Sequence, residues 1–287
     1  MKRLLLQLDS ARLPSVFDQV VAYDSGVDNV MSYGGVGEGD VRDLIHGCIF
    51  TRGPKDLKNT AVFIGGSDIA LGGQILVAAE RAFFGPFRVS VMLDSNGSNT
   101  TAAAAVVKLM QAVGDIRGKR VLVTAGTGPV GRRAAGLLAK EGAEVTITSR
   151  NSDEGKRAAR GVQERFGGAV KCVLMRDASQ AAKVIEETRP QVLLNSGPAG
   201  IQLVPRAAWV GRDGLEVAAD LNAVPPLGIE GIEATDNATK HDGVTTFGAL
   251  GVGGFKMKVH KACIARLFER NDLALDAETI FEVAREL

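Results

Sequence analysis

The sequence predicts an α/β protein of two domains with mainly parallel sheets, and three observations carry that expectation. Apolar runs of strand length alternate with helical patterns from end to end of the 287-residue chain. Strands joined through helices run parallel, with helices covering both sheet faces. A glycine-rich turn in the middle of the chain links one such strand directly to a helix.

In the first hundred residues, strands are expected near Leu4–Leu8, Asn29–Tyr33, Ala61–Gly65 and Phe87–Leu93. Helices are expected between them, near Ser15–Tyr23, Val41–Ile49 and Ile69–Phe83. The polar segment Asp94–Thr101 follows the fourth strand and opens a long helix, Thr101–Val113. The turn-rich stretch GDIRGKR then leads into a second series, with strands near Val121–Ala125, Ala143–Thr148, Val170–Met175, Gln191–Asn195 and Leu215–Asp220. Helices Asp153–Phe166 and Ser179–Thr188 separate its later strands. After Phe247 a glycine-rich loop, Gly248–Gly254, is expected to precede a helix near Phe255–Phe268 and a last helix, Asp276–Glu286. The expected domains are residues 1–100 with 251–287, and residues 101–250.

Composition narrows the class. Apolar residues make up 45% and charged residues 23%, which is ordinary for a soluble globular chain. A formal net charge of +1 lacks the basic excess that nucleic-acid binding requires. Cys48, Cys172 and Cys263 are odd in number and far apart, with neither zinc spacing nor a disulfide framework. The histidines His46, His241 and His260 show no metal spacing either. The amino terminus MKRLLLQLDS is too short an apolar run for a signal peptide, being cut by Gln7 and Asp9. No apolar run approaches membrane-spanning length, so a cytoplasmic protein without a membrane partner is expected.

The central turn carries the first chemical signal. VLVTA (Val121–Ala125) runs into Gly126-Thr127-Gly128-Pro129-Val130-Gly131 and then into a helical pattern closed by Gly142. In a dinucleotide site the first glycine permits the tight turn, the second lets backbone approach the pyrophosphate, and the third allows helix and strand to pack closely. Pro129 suits the first helical turn, and the exposed amides there favour an anionic phosphate. A tight glycine turn with no ligand is the competing reading. The next strand ends in Ser149-Arg150, where an NAD site usually has a carboxylate for the ribose 2′-OH. An arginine there suits a 2′-phosphate, with Ser149 adding a hydroxyl, so the cofactor expected is NADP.

Ligands of open α/β sheets bind beyond the carboxyl ends of the strands. Asp94-Ser95-Asn96-Gly97-Ser98-Asn99-Thr100-Thr101 lies at such a place, and eight small polar residues exceed what a helix cap needs. Phe247–Lys261 joins glycines to a helix start bearing Lys256 and His260 on one face. A solvated basic face is the bland alternative there. Ser196 and Gly197, after the fourth strand of the second series, can border the cofactor, and Asn222, after the fifth, can frame the nicotinamide. Asp18 is a candidate in the first domain.

Together, SVFDQVVAYDSG (Ser15–Gly26), TRG (Thr51–Gly53), FFGPFRVSVMLDSNGSNTTAAAA (Phe83–Ala105), AGTGPVG (Ala125–Gly131), ADLNAVPPLGIEGIEATD (Ala219–Asp236) and FGALGVGGFKMKVHKACIARLFE (Phe247–Glu269) resemble the NADP-dependent methylene-tetrahydromethanopterin/methylene-tetrahydrofolate dehydrogenases of methylotrophic bacteria. The resemblance spans nearly the whole chain. It implies a subunit with a Rossmann NADP domain, a pterin held in an interdomain cleft, and a homo-oligomer of three or more copies. It also implies hydride transfer from the substrate's methylene carbon to the nicotinamide, with Asp94, Asn96, Ser98, Thr100 and Thr101 contacting the pterin. Lys256 is then assigned to a pterin polar group or to an orienting pair with a carboxylate such as Asp18. Two other expectations stand beside it: an NADP dehydrogenase of a shikimate-like hydroxy acid, and a non-catalytic NADPH-sensing protein.

Overall fold

The computed structural model describes residues 1–287. In chain order the elements are β1 (Leu4–Asp9), α1 (Val16–Asp24), β2 (Asn29–Gly34), α2 (Val41–Ile49), β3 (Thr60–Gly65), α3 (Ile69–Ala82), β4 (Ser90–Leu93) and α4 (Ser98–Val113). There follow β5 (Arg120–Thr124), α5 (Pro129–Lys140), β6 (Glu144–Ser149), α6 (Ser152–Phe166), β7 (Val170–Leu174), α7 (Ala181–Thr188) and β8 (Val192–Asn195). The chain ends with α8 (Arg206–Trp209), β9 (Val217–Asp220), β10 (Asn237–His241), β11 (Val244–Phe247), α9 (Ala249–Arg266), β12 (Ala274–Leu275) and α10 (Ala277–Arg285). It separates into two compact units, Met1–Thr100 with Met257–Leu287, and Thr101–Lys256. No helix is long and apolar enough to cross a membrane.

The first unit holds a five-stranded parallel sheet in the order β12-β4-β3-β1-β2. Its central strands are buried on both faces and read as continuous apolar runs, as parallel strands between helices do. Leu6, Leu8, Val62, Ile64, Val91 and Leu93 pack with Val41, Ile45 and Ile49 of α2 and Ile75 and Ala79 of α3. Each such leucine or isoleucine contributes about 1.5–3 kcal/mol by leaving water. Asp276 caps α10 by accepting from Glu278 and Thr279 amides, and the Thr279 hydroxyl closes the box on the Asp276 amide.

The second unit holds a seven-stranded sheet in the order β10-β11-β9-β8-β5-β6-β7. All its pairs are parallel except β10 with β11. From β7 to β11 this is the doubly wound order 3-2-1-4-5-6, with the topological switch between β5 and β8. Trp209 is fully buried under one face, its indole N–H donating to the Glu230 carbonyl at 2.9 Å.

Two expectations change. The glycine-rich stretch before Phe255 is not a loop: α9 already begins at Ala249. Its start is docked on backbone, with the Gly248 amide on Asp236 O at 2.9 Å and the Leu250 amide on Ala234 O at 2.8 Å. A Cβ at Gly248 or Gly251 would overlap carbonyls of Glu233, Ala234 or Asp236. That close approach outweighs the helix cost of glycine, about 1 kcal/mol per residue. The β10–β11 hairpin was also not anticipated. Its tip is Asp242-Gly243, both at positive φ (49° and 87°), the backbone of a two-residue hairpin turn.

Candidate active site

The glycine turn is built on the ends of β5 and β6. Ala125 follows β5 with φ 51°, and its amide donates to the Thr148 hydroxyl at 3.0 Å. The Gly126 amide donates to Thr148 O at 3.1 Å, and the Gly128 amide to Ala125 O at 3.1 Å. The three glycines are not equivalent. A Cβ on Gly126 would lie 2.6 Å from Ile147 Cβ, and one on Gly131 2.5 Å from Ser196 Oγ and 2.8 Å from Gly126 Cα. A Cβ on Gly128 would meet only Ala125 O, at 3.5 Å. Gly126 and Gly131 are therefore required by packing within the protein, while the face of Gly128 is open.

The amides of Thr127, Val130 and Gly131 have no acceptor within the chain and begin α5. Such amides, with the helix dipole, suit a phosphate. Arg132 reaches back to donate from Nε to Thr127 O at 2.6 Å. Its guanidinium stays at the turn, a cation that sequence reading missed and that only its backward rotamer places there. Beyond β6, Arg150 is exposed and makes no ion pair or hydrogen bond within the chain. Ser149 behaves otherwise than expected. Its hydroxyl donates to Asn151 O at 2.7 Å and accepts from the Asn151 amide at 3.1 Å, so it ties the turn rather than pointing outward. Asn151 in turn caps α6.

Ser196 and Gly197 lie beside this turn. The Ser196 hydroxyl donates to Thr124 O at 2.9 Å, and the Gly197 amide to Asn195 Oδ1 at 3.2 Å. Asn222 is 3% exposed and fully engaged. It accepts from the amides of Gly200 (3.3 Å) and Val224 (2.9 Å) and donates to Pro226 O at 3.1 Å. It shapes the loop after β9 around the cis Pro225-Pro226 bond, which corrects its assignment as a cofactor contact.

A buried polar ladder crosses the carboxyl ends of three adjacent strands. Thr124, Asn195 and Asp220 sit in register at the ends of β5, β8 and β9. The Thr124 hydroxyl donates to Asn195 Oδ1 at 2.7 Å, and Asn195 Nδ2 to Asp220 Oδ1 at 2.7 Å. Asp220 also accepts from the amides of Asn222 (3.0 Å) and Ile229 (2.9 Å). The signal was present in the sequence, since VLVT, VLLN and VAAD each close an apolar strand on a polar residue.

In the first unit the carboxyl ends of β1, β3 and β4 converge on Asp9, Gly65 and Asp94. Asp9 is buried and accepts from the amides of Ala11 (2.8 Å) and Ser15 (3.0 Å), fixing the entry to α1. Ser15 caps α1 by accepting from the Asp18 amide at 3.2 Å. The half-buried Asp18 carboxylate lies 3.7 Å from where a Gly65 Cβ would stand, with Asp9 3.5 Å from the same point. His260 of α9 is fully buried and stacks on Phe63, centroids 5.6 Å apart, with Phe17 tilted against it at 6.3 Å. Lys256, half-buried, lies one helical turn before His260 on the same face of α9.

Asp94–Thr101 rests against Gly65–Gly66, with Asn96 N on Gly66 O at 2.7 Å and Ser95 Oγ on Gly65 O at 3.1 Å. Here the expected substrate contacts need correction. Asp94 is 1% exposed and accepts from the Asn99 amide (2.8 Å), the Thr100 amide (3.0 Å) and the Thr100 hydroxyl (2.6 Å). The buried Ser98 hydroxyl donates to Ser95 O at 2.7 Å. Asp94, Ser98 and Thr100 thus satisfy one another at the start of α4, because buried polar groups without partners are costly. Asn96, exposed in a left-handed conformation (φ 54°), and half-buried Thr101 keep side chains with no hydrogen bond in the chain.

Comparison with known proteins agrees with this geometry. A family model described as "Methylene-tetrahydromethanopterin dehydrogenase, N-terminal" matches residues 16–96. The chain is 47% identical over 287 residues to the bifunctional protein MdtA of Methylorubrum extorquens, covering 100% of this chain and 99% of that one. It is 33% identical over 298 residues to the NAD(P)-dependent methylenetetrahydromethanopterin dehydrogenase of the same organism, again covering 100% and 99%. Among solved structures, quinate dehydrogenase from Corynebacterium glutamicum in complex with NAD aligns with a TM-score of 0.51 at 13% identity, covering 100% of this chain and 99% of that one. The 5-ketofructose reductase of Gluconobacter sp. strain CHM43 aligns at 0.50 and 16%, with the same coverage. At these identities the solved structures establish the two-domain dehydrogenase fold alone. The relatives go further: with a Rossmann turn open to a phosphate and identity along the full length, the chain belongs to the methylene-tetrahydromethanopterin dehydrogenase family.

Proposed function

We propose that the protein is an NADP-dependent dehydrogenase that takes hydride from the methylene carbon of methylene-tetrahydromethanopterin, or of methylene-tetrahydrofolate, to give the methenyl form. Membership of the family supports the reaction. The observation that carries the cofactor preference is the exposed, unpartnered Arg150 at the end of β6, where a carboxylate would select NAD. The residues present fit a dinucleotide, because Gly128 leaves open the space a phosphate needs and three amides of the same turn have no acceptor within the chain.

When bound, the nicotinamide supplies a hydride acceptor. The two ring nitrogens flanking the methylene carbon stabilise the methenyl cation within the substrate, so the chain needs no strong general base. Its residues align donor and acceptor carbons and exclude water. Thr127, Val130, Gly131 and Arg132 would hold the pyrophosphate, and Arg150 the 2′-phosphate. Ser196 and Gly197 border the nicotinamide half. We assign pterin recognition to Asn96 and Thr101, and cofactor recognition to the second unit. Lys256 meets a pterin polar group or an orienting carboxylate, since a lysine against the nascent cation would be unfavourable.

A homo-oligomer and a cytoplasmic location complete the proposal. The exposed apolar side chains Val16, Phe17, Val20 and Tyr23 along α1 support association of copies. The unpaired Cys48, Cys172 and Cys263 support a reducing compartment. The test follows NADPH formation by absorbance with methylene-tetrahydromethanopterin, methylene-tetrahydrofolate and shikimate. Turnover of a pterin with NADP is expected. Turnover of shikimate alone, or of nothing, overturns the reading.

A further inference from the structure

The buried carboxylate of Asp220 has no assigned part in binding or in hydride transfer. It is 1% exposed, ends β9, and forms no ion pair. In each of its three hydrogen bonds the carboxylate is the acceptor, from Asn195 Nδ2, the Asn222 amide and the Ile229 amide. Nearby, a Cβ on Gly228 would overlap Asn195 and lie 2.8 Å from Asp220 Oδ1, so the loop after β9 closes tightly over the ladder. The carboxylate is therefore buried, met by N–H donors alone, and has no cationic partner. Such a charge is tolerated when N–H groups satisfy it, and its field is weakly screened in a protein interior.

Its place in the sheet decides what that field acts on. The doubly wound sheet comprises two mononucleotide halves meeting at the switch between β5 and β8. Arg150, just past β6, would mark the adenosine half, so the nicotinamide half would run towards the ends of β8 and β9. Those ends carry Asn195 and Asp220. The nicotinamide ring is a cation when oxidised and neutral when reduced, and a fixed anion near it would distinguish the two.

We infer that Asp220 is a fixed buried anion that sets the balance between the oxidised and reduced cofactor at this site, favouring the oxidised ring. The inference rests on the reading that the second unit takes NADP. Asp220 is a charge-setting residue, acting through its field rather than by contact.

The experiment measures dissociation constants of NADP+ and NADPH separately, by fluorescence titration for NADPH and competition for NADP+. Wild type is compared with Asp220→Asn and with Asp220→Ser, a smaller neutral variant that leaves room for a water to meet the amides. Thr124→Val removes a hydroxyl from the same ladder without changing charge. Both Asp220 variants should raise the ratio Kd(NADP+)/Kd(NADPH) about tenfold, or about 1.4 kcal/mol. Thr124→Val should leave it at the wild-type value. A structural role alone would weaken both forms alike, and an unchanged or lowered ratio in folded Asp220 variants overturns the inference. If the wild type binds neither form, the cofactor reading itself fails.

Discussion

Gly128→Ala should separate the fold from the ligand. Gly128 has φ −72° and ψ 169°, extended backbone that alanine adopts freely. Its added methyl would meet only Ala125 O, at 3.5 Å, an ordinary contact. Without ligand the variant should be as stable as wild type, or gain about 0.4–1 kcal/mol from a less flexible unfolded chain. Binding should suffer, because the methyl occupies the surface a phosphate approaches. Losing one amide–phosphate hydrogen bond costs about 1.5–3 kcal/mol, or roughly 10- to 150-fold in affinity. The assay is unfolding with and without NADP. At about 100 times the wild-type Kd, ligand adds about 2.7 kcal/mol to wild type, and about 1.4 kcal/mol to a variant binding tenfold more weakly. Gly126→Ala is the contrast, because its Cβ would lie 2.6 Å from Ile147 Cβ and should destabilise the protein even without ligand. If Gly128→Ala titrates like wild type, the turn is not the phosphate seat. If it unfolds early without ligand, the glycine is structural.

Further outcomes follow from the same geometry. Arg150→Gln removes an exposed cation without partners, so stability should stay within about 0.5 kcal/mol while NADP binds at least about tenfold more weakly and NAD unchanged. Equal losses for both cofactors in titration would refute 2′-phosphate recognition. Lys256→Ala should lower kcat about 100-fold, through lost alignment, with NADP affinity retained; steady-state and binding measurements decide, and unchanged turnover sinks the assignment. Burial pushes the Cys48 thiol up to about 11 and the Cys263 thiol up to about 12. The folded state thus holds these protons more tightly than the unfolded chain, whose thiols titrate near about 8.5. That stabilisation is present below the unfolded value and is lost as pH rises from about 9 through the folded values. Urea unfolding at mildly alkaline and strongly alkaline pH should show it, and Cys263→Ala should make the decline shallower; parallel declines would refute it.

The strand–turn–helix around the glycines was legible because its signals are local. Gly126, Gly128 and Gly131 follow an apolar strand and open a helix, and all of them lie within six residues of one another. Family membership was legible for the same reason, since Ala219–Asp236 and Phe247–Glu269 carry it as contiguous strings. The Asp94–Thr101 segment was misread in part. Its residue types suit either a ligand or a cap, and only the hydrogen-bond partners distinguish Asp94, Ser98 and Thr100 from Asn96 and Thr101. The same holds for Ser149 and Asn222, whose polar atoms are consumed by neighbouring backbone.

Strand–helix alternation and the order of turn residues were written in the chain, because periodicity and φ preferences act within a few residues. Long-range approach was not. Glycines at 248 and 251 read as a loop, yet one precedes and the other lies in the first turn of α9, because the backbone of Glu233–Asp236 lies against them. Likewise Thr124, Asn195 and Asp220, far apart in sequence, become one buried ladder only when β5, β8 and β9 pair in register. Packing density and the need to satisfy every buried polar atom act between distant segments, and so they take effect only in the folded protein.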